Sequence, residues 1–487
     1  MKKIILLVPF LFLCYFVANA QGMKAFISHK AFCTNTMQPY IEFTFIIGGN
    51  TVNYVPITDN RYQADVEIRV DMMRNDTLVK QLHYILNSDQ FEDSVRQTKP
   101  DFVDIQNVPM PQGEFFLYFY MTDLHGNKDT LSYIDKISLN FPEDAISTSK
   151  LSLHRSLVAS ENPGLFVKYG YQIPPLYSNF VPESQYTLPF SLEVYNTKNI
   201  LGGQKLKADC YIQSVESRLV VNANNIITLH APTDDVVLFL NEFNVFNLPS
   251  GNYFAVLDLY DNRDSLLLSE RVFFQKSNPS VKLNLNDYSV TSITGTFVEF
   301  DTIRKDLIDN IKTLFPISTN IERDFYENNL KHLPIEQLQS YFYSFWKKRN
   351  PSNPEEAWKK YKTRVDIVQE RFGSRQVKGY LTDRGRIYLQ YGQPNEIIEE
   401  HSDPVTLPYE VWHYYYLNGQ SNVKFIFYDP VLTGRDYELL HSNLYGERNN
   451  PNWKMYLVRK IQTQQDIYET NPLDYWGNSM DDYWRYH

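Results

Sequence analysis

The chain is 487 residues long, enough for about three domains of roughly 150 residues each. Hydrophobic residues make up 43%, which excludes a mainly disordered chain; aromatics at 15% beside only 19 glycines favour aromatic-rich antiparallel strands. The formal charge is −10, or −12 once Lys2 and Lys3 leave with the leader described next. That balance argues against nucleic acid and gives no reason to expect anionic membranes.

Lys2 and Lys3 precede an apolar run from Ile4 to Val17, which ends at Ala18-Asn19-Ala20 before Gln21. A basic start, a short apolar stretch and a small-x-small site are the pattern of a secretory signal peptide, residues 1–20. The run is too short and wrongly flanked for a transmembrane anchor. Leu13 stands before Cys14 where a lipidation signal wants Gly or Ala, so export without a lipid is expected. The expected location is the periplasm, with outer-membrane association or secretion as the other placements. Only Cys33 and Cys210 remain after cleavage, and they fall in different expected domains. Two spare thiols are no disulfide framework, so stability must come from cores.

Two β-sandwich domains of Ig-like type are expected next, at 22–142 and 143–280. Tyr40 to Ile46 reads as a strand ended by Gly48-Gly49-Asn50. Ala64 to Met72 alternates with Val66, Ile68 and Val70 on one face, then turns at Arg74-Asn75-Asp76 into Leu78 to Leu86. Pro111-Gln112-Gly113-Glu114-Phe115 and Pro249-Ser250-Gly251-Asn252-Tyr253 each open a strand that ends in an Asp/Asn turn, and the two prolines lie 138 residues apart. One sandwich fits that offset. In the second unit, 190–195, 207–213, 226–229 and 236–240 are the expected strands. Asp258, Asp261 and Asp264 lack the spacing of a calcium loop and read as a solvated hairpin turn.

After Asn278-Pro279 the alternation gives way to helical spacing, and an α+β domain is expected over 281–465, with a tail at 466–487. Asp301 is expected to cap a helix carrying Ile303, Leu307, Ile308, Ile311 and Leu314 on one face. A second helix bears Leu338, Phe342, Phe345 and Trp346. A third starts at Asn353 with Pro354 and Glu356, carries Trp358, Tyr361, Val365, Val368 and Phe372, and ends at Gly373. The basic cluster Lys347, Lys348, Arg349, Lys359, Lys360, Lys362 and Arg364 has Glu355, Glu356, Asp366 and Glu370 alongside and reads as a solvated helix face, with contact to an acidic partner as the other reading. Arg386 to Tyr391, Glu410 to Tyr416 and Val423 to Tyr428 are expected strands, the last two forming a hairpin near Asn418-Gly419. The fold class is therefore mainly β, with helices on a small antiparallel sheet at the C-terminal end.

The run Gly379-Tyr380-Leu381-Thr382-Asp383-Arg384-Gly385-Arg386-Ile387-Tyr388-Leu389-Gln390-Tyr391-Gly392-Gln393-Pro394 resembles the GWxTD domain family. So do Tyr341 to Trp346 with Arg349-Asn350-Pro351, Pro408 to Tyr415, Phe425 to Tyr428, His441-Ser442 and Gly446-Glu447. The resemblance is strong over about 340–460, with one departure: the eponymous Trp is Tyr380 here. It implies an exported bacterial protein and brings no established activity with it.

Standard catalytic constellations are missing from the sequence: no His-Glu-x-x-His, Gly-x-Ser-x-Gly, phosphate loop or Cys-x-x-Cys. Ser147-Thr148-Ser149-Lys150 spells Ser-x-x-Lys, but lacks a helix to hold it and the companion motifs of penicillin-recognising enzymes. No cofactor and no metal are expected, and His413 with His441 lacks a third ligand. The candidate site collects Tyr380, Thr382, Asp383, Arg384, Arg386, Glu410 and His413 around one sheet edge. In the structural reading Thr382 and Asp383 cap a turn, Gly385 takes positive φ and Arg386 pairs with Asp383. In the catalytic reading Glu410 and His413 serve a periplasmic hydrolase, yet alternation puts them on opposite faces of their strand. The expected function is an exported, non-catalytic cell-envelope protein whose GWxTD-like domain docks a protein partner. Glycan binding rests only on aromatic content.

Overall fold

The computed structural model describes residues 22–458, apart from 59–60, 93–98, 127–129, 222–225, 282–292, 402, 404–405 and 435–436. The expected signal peptide, the tail at 466–487 and part of the expected boundary near 280–300 lie outside the described residues. By internal packing the chain divides into two units, one running to Ser149 and including Val194–Ile200, the other formed by Lys150–Glu193 and the chain from Leu201 onward.

In the first unit the principal strands are β1 (Ala25–Cys33), β2 (Pro39–Ile47), β3 (Asp65–Arg74), β4 (Thr77–Asn87), β5 (Phe102–Pro109), β6 (Gly113–Asp123) and β7 (Thr130–Leu139). They form two antiparallel sheets, ordered β1-β2-β5 and β7-β6-β3-β4. Alternation decides what is buried: Ile41, Phe43 and Phe45 of β2, Val66, Ile68 and Val70 of β3, and Phe115 and Leu117 of β6 are all fully buried. Phe43 meets Phe119 edge to face across the two sheets, centroids 5.9 Å apart. One margin is pinned by His29 and Asp135 at 2.9 Å, the other by the Tyr84 hydroxyl donating to Asp104 at 2.6 Å. The β3–β4 turn uses Asn75 and Asp76 at φ 48° and 59°, the left-handed conformations a tight hairpin demands.

In the second unit, β8 (Thr187–Tyr195, of which residues up to Glu193 belong to this unit), β9 (Lys205–Ser214), β10 (Ile227–Pro232), β11 (Val236–Asn244), β12 (Gly251–Tyr260) and β13 (Leu266–Lys276) are the main strands. β13-β12-β9-β10 pair in that order, with a short parallel strand at Phe180–Val181 beside β13, and β11 pairs with β8. Leu188, Phe190, Leu206, Ala208, Leu257 and Leu259 fill the interior, and Phe190 stacks on Phe243 at 4.5 Å. The aspartate turn is an ordinary hairpin turn. Asp261 accepts from the backbones of Arg263 and Ser265, Asp258 from Tyr211, and Asp264 from Lys207.

The C-terminal part of the same unit holds α1 (Arg304–Lys312), α2 (Asn320–Asn329), α3 (Ile335–Arg349), α4 (Pro354–Phe372) and α5 (Asp383–Tyr391). A four-stranded antiparallel sheet follows, β14 (Glu396–Glu400), β15 (Tyr409–Leu417), β16 (Gln420–Tyr428) and β17 (Glu438–Ser442) in that order, then the short α6 (Trp453–Leu457). Leu338, Phe342, Phe345, Tyr361, Val365 and Ile387 from the helices pack with Trp412, Tyr414, Phe425 and Phe427 from the sheet in one core. The sheet's other face buries Tyr409, Val411, Ile426 and Leu440 against Trp453 and Leu457.

Two local expectations need correction. Asp301 does not cap α1; that helix begins after Ile303 without a side-chain cap. Residues 386–391 are helical, not a strand. Ile387, Leu389 and Tyr391 satisfy a period of two, but Arg384, Ile387, Tyr388 and Tyr391 also make a helical stripe, and the Thr382 cap decides between the two. The α4 cap stands as expected, with the Asn353 side chain accepting from the Glu356 backbone at 3.1 Å. Lys359, Lys360 and Lys362 pair with Glu355, Glu356 and Asp366 along one helix face. Arg349 differs, being buried against Glu322 at 2.9 Å.

Candidate functional site

The motif begins as a tight turn under α4. The Gly379 N–H donates to the Gln369 side chain at 2.8 Å, and a Cβ on Gly379 would lie 2.4 Å from the Val368 carbonyl oxygen. The Thr382 hydroxyl donates back to the Gly379 carbonyl at 2.8 Å and accepts the Gly385 N–H at 3.0 Å, which makes it the N-cap of α5. Gly385 is helical and does not take positive φ. It is needed because a Cβ there would sit 1.9 Å from the Gly379 carbonyl oxygen. Tyr380 is half-buried at the edge of the helix–sheet core, and burial raises its phenol pKa.

Each charged residue of the motif then fastens α5 to the sheet or to the segment after it. Asp383 accepts the Leu439 N–H of β17 at 2.7 Å. Arg384 is buried between the rings of Phe372 and Tyr437 and donates to Glu410 Oε1 on β15 at 2.5 Å. The other Glu410 oxygen accepts the Trp412 indole N–H at 2.9 Å. Arg386 does not pair with Asp383; it grips Glu447 with both ends of its fork, each contact 2.8 Å. The Tyr391 hydroxyl donates to the same carboxylate at 2.7 Å. Burial, followed by Glu447, pushes the Tyr391 pKa well above the ordinary phenol range.

His413 lies apart from this network. Trp412 belongs to the core under the helices, whereas Val411 belongs to the core on the opposite face, and His413 follows Val411. There it faces Glu396 of β14 at 3.6 Å and neighbours Lys424 of β16. Burial, then the Lys424 charge, lowers the His413 pKa, while burial brings Lys424 down to about 8. His441 stacks on Trp453 and accepts the Asn450 N–H, so it makes no pair with His413. Among the described residues no three His, Cys, Asp or Glu converge to hold a metal ion.

The structure thus brings Thr382, Asp383, Arg384, Arg386 and Glu410 into one clamp around α5 and leaves His413 outside it. Sequence reasoning missed Tyr391 and the Trp412 indole as members, and gave Glu447 no role. A signal for Trp412 was present in its two-residue spacing from Glu410. Nothing local pointed Arg386 to Glu447, 61 positions on. Both carboxylate oxygens of Glu410 therefore already accept hydrogen bonds within the domain, from Arg384 and from Trp412.

Comparison with known proteins agrees with this architecture at the C-terminal end. Residues 285–457 match the family model of the GWxTD domain. That segment carries the GWxTD domain the motif suggested, with Tyr380 at the position of the family's Trp. No match was found among curated proteins. Among solved structures, the fibronectin(III)-like modules of Clostridium thermocellum CbhA align at 10% identity and TM-score 0.14, covering 50% of this chain and 89% of theirs. Trypsin-activated α2-macroglobulin of Escherichia coli aligns at 8% identity and TM-score 0.15, covering 53% of this chain and 16% of that one. The elastase-activated form gives 9% identity and TM-score 0.18, with 53% and 22% covered. This chain therefore spans less than a quarter of the macroglobulin length. Likenesses at these scores carry no argument, and the sandwich architecture rests on the strand orders above. Among the described residues no helix is long and apolar enough to cross a membrane.

Proposed function

We propose that this is an exported, non-catalytic protein of the cell envelope, in which the β-sandwiches act as spacers or binding modules and the GWxTD domain docks a protein partner. The observation that carries the reading is the clamp: Thr382 caps its own helix, while Asp383, Arg384 and Arg386 bond to the Leu439 backbone, Glu410 and Glu447, so the motif's polar groups are engaged in holding the domain together rather than turned to a substrate. Export is supported by the pattern of residues 1–20 alone, and the periplasm is the location proposed on that basis, with outer-membrane association or secretion as the alternatives. The test is crosslinking in intact cells followed by affinity capture from detergent-solubilised envelopes, using the full chain and a folded variant lacking 293–457. One specific protein lost with that deletion supports docking, whereas recovery only as a free monomer overturns it. Intact mass settles export separately: a mature chain beginning at Gln21 without an acyl group is expected.

A further inference from the structure

Strand β6 fills the first sandwich with one side and faces solvent with the other. Phe115, Leu117, Phe119 and Met121 are buried, so the core is complete without the alternate residues. Those alternates are Phe116, Tyr118 and Tyr120, where a solvated sheet face ordinarily carries polar side chains. Phe116 is 48% exposed and the two tyrosines are half-buried. Their α-carbons follow one another at about 6.8 Å along the strand.

Register sets the neighbours of these rings. On β3, Met73, Asp71 and Arg69 lie opposite Phe116, Tyr118 and Tyr120, and on β4, Gln81 and His83 lie beyond Asp71 and Arg69. The Arg69 guanidinium packs on Tyr120, 4.2 Å from the ring centre, and its Nε stands 3.4 Å from one Asp71 oxygen. The Gln81 amide donates to the other Asp71 oxygen at 2.6 Å. Toward the margins, His83 meets Glu67 at 2.8 Å and Lys136 of β7 meets Glu114 at 2.7 Å. A line of three rings thus runs beside planar polar groups that hold one another in place.

Two features select what this face can take. Its charged groups are paired with one another, so it offers little unbalanced field to an ionic polymer. A protein interface keeps charge at its rim and depletes it at the core. Here Asp71 and Arg69 stand on β3, an interior strand of the sheet, directly beside the rings. A sugar chain suits both features. Pyranose rings present apolar C–H faces to aromatic rings, and hydroxyls at their edges to carboxylate, amide and guanidinium groups.

We propose that this face of the first sandwich binds an uncharged polysaccharide lying along β6, its sugar rings against Phe116, Tyr118 and Tyr120 and its hydroxyls on Asp71, Gln81 and Arg69. The inference rests on the reading of the β-sandwiches as binding modules and is independent of docking by the GWxTD domain.

The test is affinity electrophoresis and calorimetry of the full chain with dextran, laminarin and galactomannan, with polygalacturonate as the charged control. Wild type is expected to bind at least one neutral polymer and not polygalacturonate. Phe116→Ala, Tyr118→Ala and Tyr120→Ala should each weaken binding about tenfold, the loss of one ring contact, and the triple variant should not bind. Tyr118→Phe keeps the ring and should bind nearly as wild type. Ile85→Ala, on the same face away from the ring line, should bind as wild type, and thermal melts of all variants should stay close together because the inner core is untouched. Binding to none of the neutral polymers overturns the site, as does wild-type affinity in the triple variant or binding to polygalacturonate alone. Sedimentation showing a dimer that the triple variant loses would give the face to a second copy and overturn the proposal as well. The triple variant should still capture the envelope partner of the GWxTD domain; losing that partner would show that this face holds protein instead of sugar.

Discussion

Arg384 and Glu410 are 8% and 5% exposed, so neither charge has water to fall back on. Removing one partner leaves the other buried and uncompensated, at a cost of about 3–5 kcal/mol. Arg384→Met and Glu410→Leu are expected to lose stability on that scale in urea unfolding, and the double variant to recover much of it. A Glu410→Gln variant as stable as wild type but inactive in complementing a deletion would instead favour a catalytic carboxylate. His441 makes a second residue-scale prediction. Its Nδ1 accepts the Asn450 N–H, which requires an uncharged nitrogen, and burial brings its pKa to about 4. The folded value lies below the unfolded one of roughly 6.5, so the unfolded chain binds the proton first. Its stabilising contribution is complete above pH 6.5 and fades as pH falls toward 4, by at most about 3 kcal/mol. Comparing melting of wild type with His441→Phe between pH 4 and 7 checks this; parallel curves would refute it.

At the level of elements, the sequence was legible where a local rule was sufficient. Asn353-Pro354-Glu355-Glu356 starts a helix in the structure as capping chemistry requires, because both partners lie within one turn. The segment 386–391 was misread since a short apolar run fits both periods, and its cap lies in the motif just ahead of it. Thr382→Ala should therefore destabilise the protein by about 1 kcal/mol, with Thr382→Ser nearly neutral. Gly385→Ala should cost more than Thr382→Ala, since the group in its way is a backbone carbonyl that cannot swing aside. Thermal melts of the three variants give the order directly, and a Gly385→Ala protein as stable as wild type would break the argument.

For the whole molecule, the sequence placed a domain boundary near 280, where strand alternation gives way to helical spacing. The second unit nonetheless includes both the preceding sandwich and the GWxTD domain. Phe273 with Tyr445, and Arg271 against Gly419, join its two parts. A nick introduced between 282 and 292 should accordingly leave two fragments that co-elute in native size exclusion and separate only in denaturant. Fragments that part without denaturant would show that this junction does not hold on its own.

Sequence by itself determined the class of architecture, the strand faces and the identity of the motif residues. Alternation, turn chemistry and capping are local, and Val66-x-Ile68-x-Val70 or Asn75-Asp76 carries its instruction within a few positions. Only the tertiary structure decided what the motif charges do. Arg384 reaches Glu410, Asp383 reaches the Leu439 backbone and Arg386 reaches Glu447 across 26, 56 and 61 positions. A charge has no periodicity that names its partner. Which carboxylate it meets depends on how α5 lies on the sheet, and that is set by the packing of Ile387, Trp412 and Phe427 in the core they share.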